Sequence, residues 1–151
     1  MKLFSLIILI SSVFAQSPFD WQDNGVPLRQ GTHIEWWKAM EVGNDGELII
    51  VWSDCRYGIR DIFAQKITID GDLLWGTDGE LVALEDGLND GISVARADGR
   101  QEDPIIITDE AGGFFMIWMD YRNEPAKGDI YGQHVLADGS LQFGIEGTPL
   151  T

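Results

Sequence analysis

Apolar positions along this 151-residue chain come in short runs, and the spacing within them has a period of two. In "DIFAQKITI", residues 61–69, the positions Phe63, Gln65, Ile67 and Ile69 alternate with Ile62, Ala64, Lys66 and Thr68, as the two faces of a pleated strand require. Ile49 to Trp52 and Phe115 to Trp118 belong to short apolar runs, and the surrounding Asn, Asp and Gly mark strands that end in tight turns. "NDGE" at 44–47 and "DG" at 70–71 and 138–139 supply those turns, because Asp-Gly tolerates the positive φ that a hairpin needs. Beyond residue 16 nothing sustains a helical period. The pattern predicts strands at 36–42, 47–53, 61–69 and 73–83, and again at 104–108, 114–119, 129–137 and 141–150.

The two sets are copies of one another. Placing Trp52 on Trp118 also places Asp54 on Asp120 and Arg56 on Arg122, an offset of 66 residues. After a loop two residues longer in the second copy, Asp61 falls on Asp129, Ile62 on Ile130, Phe63 on Tyr131, Gln65 on Gln133 and Trp75 on Phe143, an offset of 68. Trp21, Gly25 and Leu28 repeat the spacing of Trp75, Gly79 and Val82, so the closing strand of a further copy stands near the start. The expected organisation is a leader at 1–15, a terminal strand of an incomplete unit at 16–34, a first four-stranded unit at 35–84, an acidic Gly-rich connecting loop at 85–103 and a second unit at 104–151.

"SDCRYGIRDIFAQ" and "MDYRNEPAKGDIYGQ", with the following Asp-Gly and Trp or Phe, resemble the secreted bacterial β-propeller repeats of the form W-x-D-x-R…DIYAQ…DG…LW, loosely sialidase-like. The resemblance runs over residues 21–150 and implies an all-β, partial β-propeller: two four-stranded antiparallel blades plus an N-terminal strand of a further blade. Because propellers close with four or more blades, it also implies further blades. Later sequence of the same polypeptide is the simpler source, which would make this chain the N-terminal part of a larger protein; assembly of several chains into a ring is the rival.

The first residues change the picture of compartment. Lys2, the apolar run Leu3 to Ile10, and Val13 and Ala15 before Gln16 have the form of a secretory signal peptide, and the apolar run is too short to span a membrane. A secreted or cell-surface location follows. Without Lys2, nine basic residues face 25 acidic ones, a net charge of −16. That excess repels polyanions, which speaks against nucleic acid and anionic membrane as partners. Cys55 is the single cysteine and has no internal disulfide partner; because Tyr121 fills the matching place, burial is expected.

Candidate chemistry adds less. Arg56 and Arg122 are suited to gripping a ligand carboxylate by their planar fork, but each also stands where it can tie two strands together through Asp54, Asp61, Asp120 and Asp129. A residue repeated at the same place in each unit is expected from the architecture, so the structural role is favoured. Trp52 and Trp118 are expected in the core, Gln65 and Gln133 on backbone groups within the sheet. Trp36 and Trp37 are adjacent, so one is expected to face outward as a platform for a sugar ring. No cofactor is expected: His33 and His134 lack zinc-ligand spacing, and Asp86, Asn89 and Asp90 miss the EF-hand calcium template at Leu88. The expected function is that of a non-catalytic binding or scaffold module for an extracellular protein or glycan, with the loops at 57–60, 85–103 and 123–128 expected to line one ligand face and the Asp-Gly turns on the opposite side. Two alternatives are part of a sialidase-like glycoside hydrolase whose catalytic groups lie in other blades, and a structural spacer.

Overall fold

The computed structural model describes residues 25–28, 34–76 and 91–151. They form two four-stranded antiparallel sheets and no helix. Sheet 1 has the order β1 (Glu35–Val42), β2 (Leu48–Asp54), β3 (Asp61–Ile67) and β4 (Ile92–Ala95). Sheet 2 repeats it with β5 (Gln101–Thr108), β6 (Phe114–Asp120), β7 (Asp129–Val135) and β8 (Thr148–Pro149). Six of these strands lie where alternation and turn chemistry put them; of the strand expected at 141–150 only Thr148–Pro149 forms one, with an isolated bridge from Leu141 to Val135, and the Asp-Gly turns have the expected positive φ at Gly71 (93°) and Gly139 (89°).

The fourth strand of sheet 1 differs from expectation. Of the stretch expected at 73–83, Leu73 makes only an isolated bridge to Ile67, and residues 77–83 lie outside the described residues. The place beside β3 is taken by Ile92–Ala95, inside the segment expected to be a connecting loop, and β5 begins at Gln101 rather than 104. Ile92 and Val94 point into the core between the sheets, which is what selects them. In the expected N-terminal strand at 16–34, residues 25–28 and Ile34 carry no strand and the others lie outside the described residues.

The first strand of each sheet carries an irregularity at the same place, between Trp36 and Ala39 and between Glu102 and Ile105. A bulge there breaks the strict alternation on which the Trp36/Trp37 expectation rested. In the second sheet it houses Pro104, which has no N–H to give a neighbour, next to Asp103 at φ 54°.

The sheets pack so that unlike faces meet. One face of sheet 1, with Ile49, Val51, Ile62 and Ala64, lies against Ile106, Phe114, Met116 and Trp118 of sheet 2, and all are buried in one cluster. By register, the residues of sheet 2 equivalent to Ile49 and Val51 are Phe115 and Ile117, on its opposite, outer face. Polar ties reinforce the junction: Lys66 Nζ donates to Gly112 O (3.0 Å), Trp75 Nε1 to Ala137 O (3.2 Å) and Gln101 N to Arg60 O (2.8 Å). Gln65 accepts from the Trp75 N–H and donates to its carbonyl (3.0 Å each), and Gln133 accepts from Phe143 N (2.9 Å) and donates to Gly144 O (2.6 Å), as expected of amides facing the interior.

Candidate functional site

In each sheet the hairpin between the second and third strands opens at one end, and the chain passes from sheet 1 to sheet 2 at that same end. β2 ends at Asp54 opposite Asp61, β4 ends at Ala95 opposite Ile62, and β6 ends at Asp120 opposite Asp129. Residues 55–60, 96–100 and 121–128 therefore gather there. Between them lies a cleft of about 540 Å³ lined by Tyr57, Asp61, Arg96, Asp98, Arg122 and Glu146, among others. Its two walls are stitched by the main chain, Arg96 N donating to Ile145 O (2.9 Å).

The arginines of the repeated motif are arranged alike but exposed differently. Arg56 binds Asp54 through Nε (3.0 Å) and Nη2 (2.6 Å), its guanidinium sits 3.6 Å from the centre of the Phe63 ring, and its side chain is 1% exposed. The expected binding role of Arg56 is thus withdrawn from solvent. Arg122 binds Asp120 in the same way (Nε 2.8 Å, Nη2 2.6 Å) and lies 4.0 Å from the Tyr131 ring centre, but its side chain is 13% exposed and reaches Glu146 O at 2.7 Å on the cleft wall. Asp120 holds this guanidinium firmly in its charged form. The tie between strands two and three is made by Arg stacked on the third strand's ring, with Asp54 and Asp120 as the ion partners.

Asp61 and Asp129 diverge. Asp129 accepts from Asn123 Nδ2 (3.1 Å) at the surface. Asp61 is nearly closed from solvent at the cleft floor, and burial pushes its carboxyl up to about 7; Arg96 pulls it down, Asp54 pushes it up, and the Ala97 N–H donates to it. A carboxyl held near neutrality in a cleft is a common feature of functional sites. Arg96 lies over the Tyr57 ring (4.8 Å to its centre), and Tyr57 in turn packs on Phe63 (6.1 Å).

The raised value has a defined effect on stability. An acid at 3.8 when unfolded and about 7 when folded binds more protons in the native state across that interval, so native stability falls as pH rises from about 4 to about 7 and then levels off. We expect Asp61→Asn to remove this fall and to stabilise the chain at pH 8 by on the order of 2 kcal/mol, water in the cleft screening part of the penalty. Urea unfolding of both proteins from pH 4 to 8 checks it: parallel pH profiles would mean that Asp61 has an ordinary carboxyl.

Other expected site residues fall elsewhere. Trp36 is half-buried, with the Arg60 guanidinium 4.4 Å from its ring centre, and the side chain of Trp37 lies outside the described residues. Arg60 also pairs with Glu102, which Arg100 Nε meets at 3.1 Å. Trp52 and Trp118 are buried, each donating from Nε1 to its own Asp, Asp54 at 3.0 Å and Asp120 at 2.9 Å. Cys55 is half-buried rather than buried, and burial raises its thiol pKa. Asp86, Asn89 and Asp90 lie outside the described residues, as do His33 and the leader. Among the described residues no three His, Cys, Asp or Glu side chains converge on a metal position, and no helix is long and apolar enough to cross a membrane.

Sequence reasoning named the 85–103 segment without singling out Arg96 in it, and missed Glu146, because both sit in irregular segments whose partners come from the other sheet. Tyr57 and Asn123 fall in the stretches that differ between the copies, and that difference is the one signal that marks them. No family model, curated protein or solved structure matches the chain.

Proposed function

We propose that the chain is a non-catalytic β-propeller repeat module of an exported binding or scaffold protein, and that it takes its extracellular protein or glycan ligand at the loop end. The observation that carries this reading is the meeting of Tyr57, Ile59, residues 96–98 and Asn123 around one cleft, while the Asp-Gly turns occupy the other end. Variable loops on a fixed scaffold are where binding is usually sited. Export rests on the leader-like first 15 residues and the acidic composition. The repeated Asp, Arg, Trp and Gln side chains support a non-catalytic role, because they are engaged with one another or with backbone inside each sheet.

The test exchanges residues 57–60 and 123–128 separately for short Gly-Ser turns and, as controls, alters the Asp-Gly turns at 70–71 and 138–139. Binding to an array of glycans and matrix proteins is expected to drop at least tenfold in the first pair and to persist in the second. Binding that survives both loop exchanges and disappears with the turn changes would move the ligand to the other end. The hydrolase alternative draws on one group, the Asp61 carboxyl, which has the protonation a glycosidase acid needs. Turnover of a glycoside panel that Asp61→Asn abolishes would put hydrolysis in place of binding.

A further inference from the structure

The outer face of sheet 2 is apolar and open. Ile105 and Ile107 are 64% and 63% exposed, Phe115 and Ile117 46% and 40%, and Leu150 lies beside them at 55%. Single exposed apolar residues are ordinary, but five on one sheet face are a docking surface. The chain itself indicates what such a face accepts. Its equivalent on sheet 1, with Ile49, Val51 and Val94 fully buried, is covered by the inner face of the next sheet. Lys66, which crosses that junction to Gly112 O, has His134 as its counterpart on the open face. A sheet with the inner-face pattern of sheet 2 is therefore the shape and chemistry that fits.

This chain carries that pattern a second time. On the far face of sheet 1, Met40, Leu48, Ile50 and Trp52 stand at the positions of Ile106, Phe114, Met116 and Trp118. Met40 and Val42 are exposed there. Residues 25–28 lie along this face but leave a cavity of about 320 Å³ against it, bordered by Val26, Leu28, Ile50 and Trp52, so they cover it without close packing. We propose that the outer face of sheet 2 receives the far face of sheet 1 of a second copy of this chain, so that copies associate head to tail. Such a contact joins unlike surfaces, and it extends into a ring or a filament according to the rotation between copies.

The proposal does not depend on the cleft. Its test uses the full chain with one charged substitution at each end, Met40→Asp and Ile117→Asp, both at exposed positions. By sedimentation velocity at tens of micromolar, the unaltered chain is expected at two or more protomer masses and each variant at one. An equimolar mixture is expected to give a 1:1 dimer and nothing larger, because each variant keeps one working end. Val42→Asp with Phe115→Asp repeats the experiment should either first variant fail to give the unaltered circular dichroism spectrum. An unaltered chain that stays monomeric overturns the proposal. So does a Met40→Asp variant that dimerises alone, which would mean that sheet 2 faces pair with one another, and so does a mixture that remains monomeric.

Discussion

Replacing Trp118 by alanine should cost roughly 3–5 kcal/mol of stability, near the upper end for a core residue, and more than the same change at Trp52. Both indoles are buried and both donate to an Asp two residues on. Their surroundings differ. Trp118 belongs to the cluster shared by the two sheets, whereas Trp52, among the described residues, belongs with Phe63 and Ile50 to a smaller one on the far side of sheet 1. Beneath Trp118, Gly147 at φ 69° lets the backbone pass so close that a Cβ there would lie 2.3 Å from the ring. Such packing cannot collapse around the lost volume, because the backbone of β8 is held by Leu150 N donating to Ile130 O at 2.8 Å. Urea midpoints of the two alanine variants check the order: equal losses would mean that the junction between the sheets adds nothing to the burial of Trp118.

Asp54→Ala should be comparably damaging, again about 3–5 kcal/mol, because it takes from a buried guanidinium the buried carboxylate that it meets at 2.6 Å. Asp54 accepts from Trp52 Nε1 (3.0 Å), from Arg56 N (2.9 Å) and from the Arg56 side chain at 2.6–3.0 Å. Asp120→Ala should cost less, since the Arg122 side chain is more exposed to water than that of Arg56. Arg56→Met should also cost less than Asp54→Ala: the carboxylate would keep two N–H donors. Thermal or urea unfolding of the three variants gives the ranking, and an Asp120→Ala loss as large as that of Asp54→Ala would show that solvent access at Arg122 gives no relief.

These two expectations start from residues that the repeat itself picks out. Trp52 and Trp118, Asp54 and Asp120, and Gln65 and Gln133 were legible because each has a hydrogen-bond partner close by in the chain, where local alternation and spacing determine the neighbours. The fourth strand of sheet 1 was not. "TDGELVA" at 77–83 and "NDGISVA" at 89–95 both offer Asp-Gly followed by alternating apolar residues. Nothing local separates them; Ile92 and Val94 are placed beside β3 by the core of the neighbouring sheet, which they enter. The cleft was half legible. The differing loops at 57–60, 85–103 and 123–128 indicated an end of the fold, whereas the approach of Arg96 and Glu146 and the raised Asp61 carboxyl depend on a junction between sheets that periodicity does not encode.

That the cleft straddles the junction couples occupancy to cohesion. Tyr57 and Asp61 belong to one wall and Arg122 and Glu146 to the other, so a ligand that touches both acts as a brace. Present at a hundred times its dissociation constant, it would add about 2.7 kcal/mol against any separation of the sheets that destroys the site. The coupling runs both ways: pulling the sheets apart would expel the ligand, and a protein anchored at one sheet and loaded at the other would sense tension through its own binding constant.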